Sequence, residues 1–289
     1  MPYSGPIAIR SPAMDAATAE SAPLTLQKPE LQAQVVAALQ RVLPPESLLW
    51  TPEQTTPYEC DGLTAYRQRP LAVALPASYE QIQQVLRTCH ALGVPVVARG
   101  AGTGLSGGAM PHERGVTLSL AKFNRILKVD PLARTALVQC GVRNLAISEA
   151  VAAHGLYYAP DPSSQIACTI GGNVAENSGG VHCLKYGLTL HNVLKVKGFT
   201  VEGEPVEFGG DALDAPGYDL LALAVGSEGM LAVMTEVTVK LTPKPQLALC
   251  IMASFADVRH AGDAVAAIIA QGIIPAGLEM MDKPMTAAV

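Results

Sequence analysis

The chain has 289 residues, 49% of them apolar, and a formal net charge of −5. That length suffices for one large domain, or for one domain and part of another. The mild acidity, with no basic stripe, makes nucleic acid a poor partner, and no run approaches the roughly 18 apolar residues of a membrane span. Aromatics are only 4%, so the core has to be assembled from Ala, Val, Leu and Ile. The six cysteines, at positions 60, 89, 140, 168, 183 and 250, form no C-x-x-C pair. Neither a zinc ribbon nor an iron–sulfur cluster is encoded, and no metal site is expected.

Residues 1–28 are rich in Ala, Ser and Pro and lack the basic start and apolar run of a signal peptide. They read as a mobile extension of a soluble, cytoplasmic protein. In segment 29–70, the spacing over 29–43 (PELQAQVVAALQRVL) predicts a helix stopped by Pro44 and Pro45, and 46–70 reads as a loop lying over something. Leu71–Leu75 reads as a strand. Ser78 and Gln81 make a capping box for a helix that buries Ile82, Val85, Leu86 and Cys89 and ends at Gly93. Val94–Ala98 and Val116–Leu120 are the next strands. Ile126–Val129 and Ala136–Gln139 flank Asp130 and Pro131 as a hairpin. Asn144 caps a helix running to His154 and closed by Gly155. Strands follow at Val193–Val201 and Val206–Phe208. Leu220–Ala224 leads into GSEGM, Met230–Leu241 alternates like a strand, and Thr242–Pro245 marks a boundary. Beyond it, strand 247–255, helix 257–271 and strand 273–280 form a β-α-β unit. Two strands and one helix bury too little to stand alone, so a second domain begins here and is cut short or completed by another chain. The division is therefore 1–28, 29–70, a main domain over 71–243 and an incomplete one over 244–289.

Two glycine clusters carry the chemistry. The first, RGAGTGLSGG over Arg99–Gly108, follows a predicted strand. A dinucleotide fold of the doubly wound kind needs a helix directly after such a loop; here Pro111, Gly115 and a strand follow. A Walker loop needs Gly-Lys-Ser/Thr at its end, which is missing. What remains is a loop whose backbone N–H groups converge on an anion, with glycines because side chains would block close approach. The second cluster runs from YAPDPSS at 158–164 into TIGGNVAENSGG at 169–180. Gly171 and Gly172 allow backbone contact, and Asn173, Asn177 and Ser178 offer amides and a hydroxyl suited to the edge of a heteroaromatic ring. A turn-rich loop stabilised by its own Asn and Ser is the alternative. Two clusters about 60 residues apart favour one extended ligand.

Together, RGAGTGLSGG, PDPSSQIACTIGGNVAENSGG and GSEGM before an alternating strand resemble the vanillyl-alcohol-oxidase-type FAD-binding domain. Within it the chain is most similar to the family of bacterial glycolate oxidase FAD subunits. PYECDGLTAYRQRPLAVALP (57–76), GVRNLAISEAV, YYAPDPSSQIA, GGVHCLKYGLTLHNVLK and GLEMMD carry that similarity over roughly residues 45 to 283. The resemblance implies an α+β fold: a two-subdomain FAD-binding domain with FAD between the halves, followed by the start of a ferredoxin-like cap domain. It places the pyrophosphate on Gly100, Ala101, Gly102, Thr103, Gly104 and Leu105, with Ser106 nearby. It lines the ribityl and isoalloxazine with Pro160, Asp161, Thr169, Gly172, Asn173 and Gly179, and sets Glu228 and the backbone of Val233 beside the cofactor. Some relatives tether flavin to a histidine in the first loop; Thr103 falls near that place, so FAD is expected to be non-covalent. Ala232 stands where the family commonly has Gly. The family's cap also supplies a His-x-His metal motif and basic residues for the substrate carboxylate, and no His-x-His occurs here.

The family reaction oxidises a small 2-hydroxy acid, glycolate or D-lactate, to the 2-oxo acid. It needs a base for the hydroxyl proton and a cation for the carboxylate. Arg67 and Lys185 (with Arg69) are the candidate cations, and His182 and His191 the candidate bases. The family also implies an iron–sulfur subunit and a second flavin-type subunit as partners, with electrons passing towards the quinone pool at the inner membrane. Two other functions compete: a truncated flavin-binding or assembly module without turnover, and a nucleotide transferase or cell-wall reductase on the same fold. GSEG and the lack of an NADPH fingerprint speak against the last.

Overall fold

A computed structural model describes residues 26–211 and 217–289. The extension expected over 1–28 lies, but for its last three residues, outside them. Helix α1 (Lys28–Leu39) buries Leu31, Val35, Val36 and Leu39. It stops four residues before Leu43, where the sequence reading ran it. Val42 and Leu43 both bond back to the Leu39 carbonyl, at 3.0 and 2.9 Å, and this tightened turn swings Leu43 into the core. Segment 46–70 is also more ordered than the loop expected there. Strand β1 (Leu48–Leu49) pairs with β2 (Ala72–Ala74), and α2 (Pro52–Thr55) is capped by Thr51.

Helix α3 (Tyr79–Ala91) joins β2 to β3 (Val96–Arg99), and β4 (Val116–Ser119) returns between them, parallel to both. The sheet order is β1-β2-β4-β3. Ile82, Val85, Leu86 and Cys89 are all buried, as their spacing requires. Ser78 caps α3 by accepting from the Gln81 N–H, and the Gln81 amide oxygen accepts from Ala77 N–H at 2.7 Å.

The second half is a five-stranded antiparallel sheet. Its strands are β5 (Ile126–Asp130), β6 (Thr135–Gln139), β8 (Val193–Phe199), β9 (Pro205–Gly209) and β10 (Val233–Lys240), in the order β5-β6-β10-β8-β9. Helix α4 (Asn144–Val151), strand β7 (Leu156–Tyr157) and helices α5 (Ile170–Glu176) and α6 (Cys183–Tyr186) fall between β6 and β8. Helix α7 (Leu220–Ala224) precedes β10, and β11 (Thr242–Pro243) pairs with β7. Asn144 is not the cap of α4; that place is taken by Arg143. Asn144 is buried and donates to the Pro160 carbonyl at 2.9 Å.

Past residue 243 only α8 (Val258–Ala270) and α9 (Lys283–Ala288) form. The strands expected over 247–255 and 273–280 are absent. A strand needs a neighbour for its N–H and C=O groups, and among the described residues nothing pairs with either segment. Leu249, Ile251 and Met252 are 81, 90 and 96% exposed.

Each sheet has its own core, one around Leu86, Leu118 and Phe123, the other around Ile147, Ile170 and Val237. A polar clasp joins them. The Tyr79 hydroxyl donates to Glu236 Oε1 at 2.6 Å and accepts from Gln139 Nε2 at 3.0 Å. Burial, helped by the Glu236 charge, pushes the phenol up to about 12 and keeps it a donor. Tyr79→Phe leaves Glu236 and Gln139 short of a partner inside the molecule. It should destabilise the fold by about 1–3 kcal/mol in urea unfolding; an unchanged midpoint would contradict this role for the clasp.

Candidate cofactor site

Strand β3 ends at Arg99 and the chain enters the first glycine cluster without a helix, as the sequence requires. Arg99 is 9% exposed and braces the loop from inside. Its Nη1 donates to the carbonyls of Cys60 at 2.8 Å and Ala109 at 3.4 Å, and its guanidinium lies 5.7 Å from the Tyr58 ring centroid. Gly102 has φ +71°, and a side chain there would run into that guanidinium. Gly62 is pressed so closely that a Cβ would lie 2.7 Å from the Gly104 carbonyl oxygen. The covering loop therefore lies over the outer edge of the glycine loop.

The second cluster is helical where the sequence suggested turns. Gly171, Gly172 and Asn173 disfavour helix, but burial of Ile170 and Val174 fixes α5 against the second sheet. Gly171 N–H donates to the Cys140 carbonyl at 2.8 Å, too close for any side chain at that position. The two clusters touch most closely where a Cβ on Gly100 would strike the Thr169 hydroxyl, and they meet again where Ser106 donates to Glu176. The GSEG turn closes the far end of α5, with Gly226 and Glu228 donating to the carbonyls of Val174 and Ala175 at 2.8 and 2.9 Å. Glu228 is held in a left-handed conformation, φ +54°, a strain typical of binding sites.

Between these pieces lies an open cleft of about 270 Å³. Gly100, Ala101, Gly102, Thr103, Gly104 and Leu105 form one wall. Thr169, Gly172 and Asn173 form the opposite one, with Glu228 and Val233 at its end. The structure does not bring Ser106, Pro160, Asp161 or Gly179 into this wall. Ser106 reaches Glu176 Oε2 at 3.4 Å, and Pro160 accepts from Asn144. Asp161 Oδ2 sits 2.6 Å from His182 Nδ1, and Gly179 packs on Cys183 and Leu188. Cys140, Ser164 and Glu176 line the cleft and escaped the sequence reading. Burial pushes the Cys140 thiol up to about 12, so it is no thiolate nucleophile.

The candidate substrate residues lie outside this wall. Arg67 is turned to Glu59 at 2.9 Å, with its side chain 66% exposed. His182 faces Asp161, Lys185 lies 5.5 Å from the Tyr186 ring, and the His191 ring accepts from Leu188 N–H.

Residues 70–209 match the family model of an FAD binding domain, and residues 244–289 match that of the C-terminal domain of FAD linked oxidases. The chain belongs to the FAD-linked oxidases. It is 64% identical, over 86% of its length and 50% of the relative's, to the glycolate oxidase subunit GlcD of Escherichia coli K12. The subunit of that name from Bacillus subtilis is 43% identical over 78% of this chain and 48% of its own. A D-lactate dehydrogenase of Archaeoglobus fulgidus is 37% identical over 73% and 47%. The chain thus spans about half the length of the curated relatives it matches. Among solved structures, an alkyldihydroxyacetonephosphate synthase superposes with TM-score 0.72 at 22% identity, over 84% of this chain and 48% of that one. The grass pollen allergen Phl p 4 does so with TM-score 0.63 at 22%, over 73% and 44%. At such identity these two establish the fold alone.

The cleft suits FAD on its own chemistry. Thr169 and Ser227, 7 and 8% exposed, are among the residues that line it, and their buried hydroxyls have no hydrogen-bond partner among the described residues; buried hydroxyls of this kind need one. The glycine wall leaves backbone free to approach an anion. Gly102→Ala adds a methyl against Arg99 and forces an unfavourable φ. We expect it to weaken FAD binding roughly tenfold or more, from a left-handed cost of about 1–2 kcal/mol plus the clash. A flavin fluorescence titration checks this, and wild-type affinity in the variant would argue against the glycine wall as the anion cradle.

Proposed function

We propose that this chain is the FAD-holding part of a 2-hydroxy-acid dehydrogenase that oxidises glycolate or D-lactate to the 2-oxo acid as the flavin subunit of a multi-subunit complex. The observation that carries the reading is the cleft where both glycine clusters meet, in a chain 64% identical to a glycolate oxidase subunit over 249 residues. Bound FAD supplies the hydride acceptor. The glycine wall and Thr169 hold its phosphate and ribityl portion, Val233 and Glu228 border it, and the ring extends towards α5. Thr103 offers no nucleophile strong enough for a covalent bond, so the cofactor is held by contacts alone.

That Arg67, His182 and Lys185 stand outside the cleft wall supports a C-terminal domain as the source of the groups that grip the carboxylate and accept the hydroxyl proton. Electrons leave through an iron–sulfur subunit, with a second flavin-type subunit in the complex. Among the described residues no helix is long and apolar enough to cross a membrane, and contact with the inner membrane is made through those partners. A second reading, a flavin-binding or assembly module without turnover, is favoured by the exposure of residues 246–289.

The purified chain should take up FAD, and acid precipitation should return all of it to the supernatant. Glycolate or D-lactate should then bleach the bound flavin anaerobically. No flavin uptake would overturn both readings; uptake without bleaching by any small 2-hydroxy acid would select the second.

A further inference from the structure

The cleft contains a feature that an anion site should avoid. Glu176, the last residue of α5, turns its carboxylate towards the glycine loop. Its Oε1 lies 2.9 Å from where a Cβ on Gly108 would stand and 3.6 Å from the same point on Gly104. Its Oε2 accepts from the Ser106 hydroxyl at 3.4 Å. Glu228 approaches from the GSEG turn, with its Oε2 3.8 Å from that same Gly108 position. Asp61, 4% exposed, carries an unpartnered Oδ2 behind the loop. Among the described residues none of these three carboxylates has an ion-pair partner. Arg99, the cation of this loop, is spent on the Cys60 and Ala109 carbonyls and on Tyr58. Cys140 faces the cleft as a neutral thiol.

We infer that Glu176 serves the cofactor cleft as a neutral carboxylic acid that donates a hydrogen bond, so that FAD binds together with one proton. This rests on the reading of the cleft as the FAD site. The unpartnered hydroxyls of Thr169 and Ser227, both more than nine-tenths buried in the same cleft, mark a ligand there independently of the acids. A pyrophosphate brought beside three carboxylates is repelled by each. One proton on Glu176 removes one of those repulsions and turns an acceptor into a donor. The last turn of α5 works in the same direction, because a helix C-terminus disfavours negative charge. The local environment does too. Burial first, then the Glu228 and Asp61 charges, hold the Glu176 carboxyl above the usual glutamate range, with the Ser106 hydrogen bond acting the other way. Glu228 cannot swing its backbone aside, because its amide is tied to Ala175 and its φ is left-handed.

The sign follows from linkage. Below the carboxyl's pKa in the free protein Glu176 is already neutral and FAD affinity does not depend on pH. Above it each binding event draws a proton from solvent, and affinity falls by up to ~10-fold per pH unit until the bound-state pKa is reached.

The test uses the full chain and FAD itself. Dissociation constants are measured by flavin fluorescence from about pH 5 to about pH 9, and proton uptake by calorimetry in buffers of different ionisation enthalpy. Wild type should weaken with rising pH and take up close to one proton in the sloping range. Glu176→Gln should bind with the low-pH wild-type affinity throughout and take up no proton. Glu228→Gln should keep the slope but move its onset to lower pH. A pH-independent wild-type affinity with no proton uptake overturns the inference alone. A slope that survives in Glu176→Gln does the same. If wild type binds no FAD at any pH, the reading of the cleft falls with it. Should Glu176→Gln fail to fold, as thermal melting of the free protein would show, the wild-type proton count decides.

Discussion

The close approach of Gly100 to Thr169 is the constraint on which the site depends. It is where the loop after β3, built on one sheet, touches the start of α5, built on the other. No side chain fits between them. Both partners are fixed from behind. The Arg99 carbonyl accepts from Leu120 N–H at 3.0 Å, and Ile170 and Gly171 donate to Val142 and Cys140 at 2.9 and 2.8 Å. The cleft is therefore the seam between two independently packed cores, with backbone on both sides. A seam of that kind suits a long, polar cofactor whose phosphates need amide donors and whose ring needs a flat apolar slot.

Two different forces hold the seam at its width. Apolar burial fixes each half by itself. The halves are then joined by apolar contact, with Cys140, Val233 and Phe199 of the second half packed into the first core, and by polar contacts of high specificity and modest net strength, among them Tyr79–Glu236–Gln139. Glu228, which lines the cleft, is left-handed without being glycine, as are Asn177 at the end of α5 and Arg134 in the β5–β6 hairpin.

Much of this was legible in the sequence. Ile82, Val85, Leu86 and Cys89 announced α3 by their spacing, and the strand after Gly108 excluded the doubly wound alternative. The first glycine cluster could be read as a closely packed loop because φ > 0 and close approach leave a direct mark on residue choice. The failures share a different cause: they hinge on neighbours far away in sequence. Gly171 and Gly172 argue against helix locally, and only burial of Ile170 and Val174 overrides them. Asn144 looked like a cap because a cap is a local device; its actual partners are Pro160 and Asn173. Glu176 meets Gly108 and Ser106, about seventy residues away, and nothing in AENSGG foretells that. The apolar run over 247–255 reads as a strand locally, but among the described residues it pairs with no neighbour and stays exposed. Asp161 and Gly179, expected at the ring, are instead absorbed by His182 and Cys183.

The central claim is that the seam between the two glycine clusters is where FAD binds. Hydrogen–deuterium exchange of the full chain, with and without FAD, tests it most directly. The account predicts slowed exchange concentrated in residues 100–105 and 169–176 and at the turn 226–229, with α8 unchanged. Protection confined to other segments, or none on adding FAD, would contradict it.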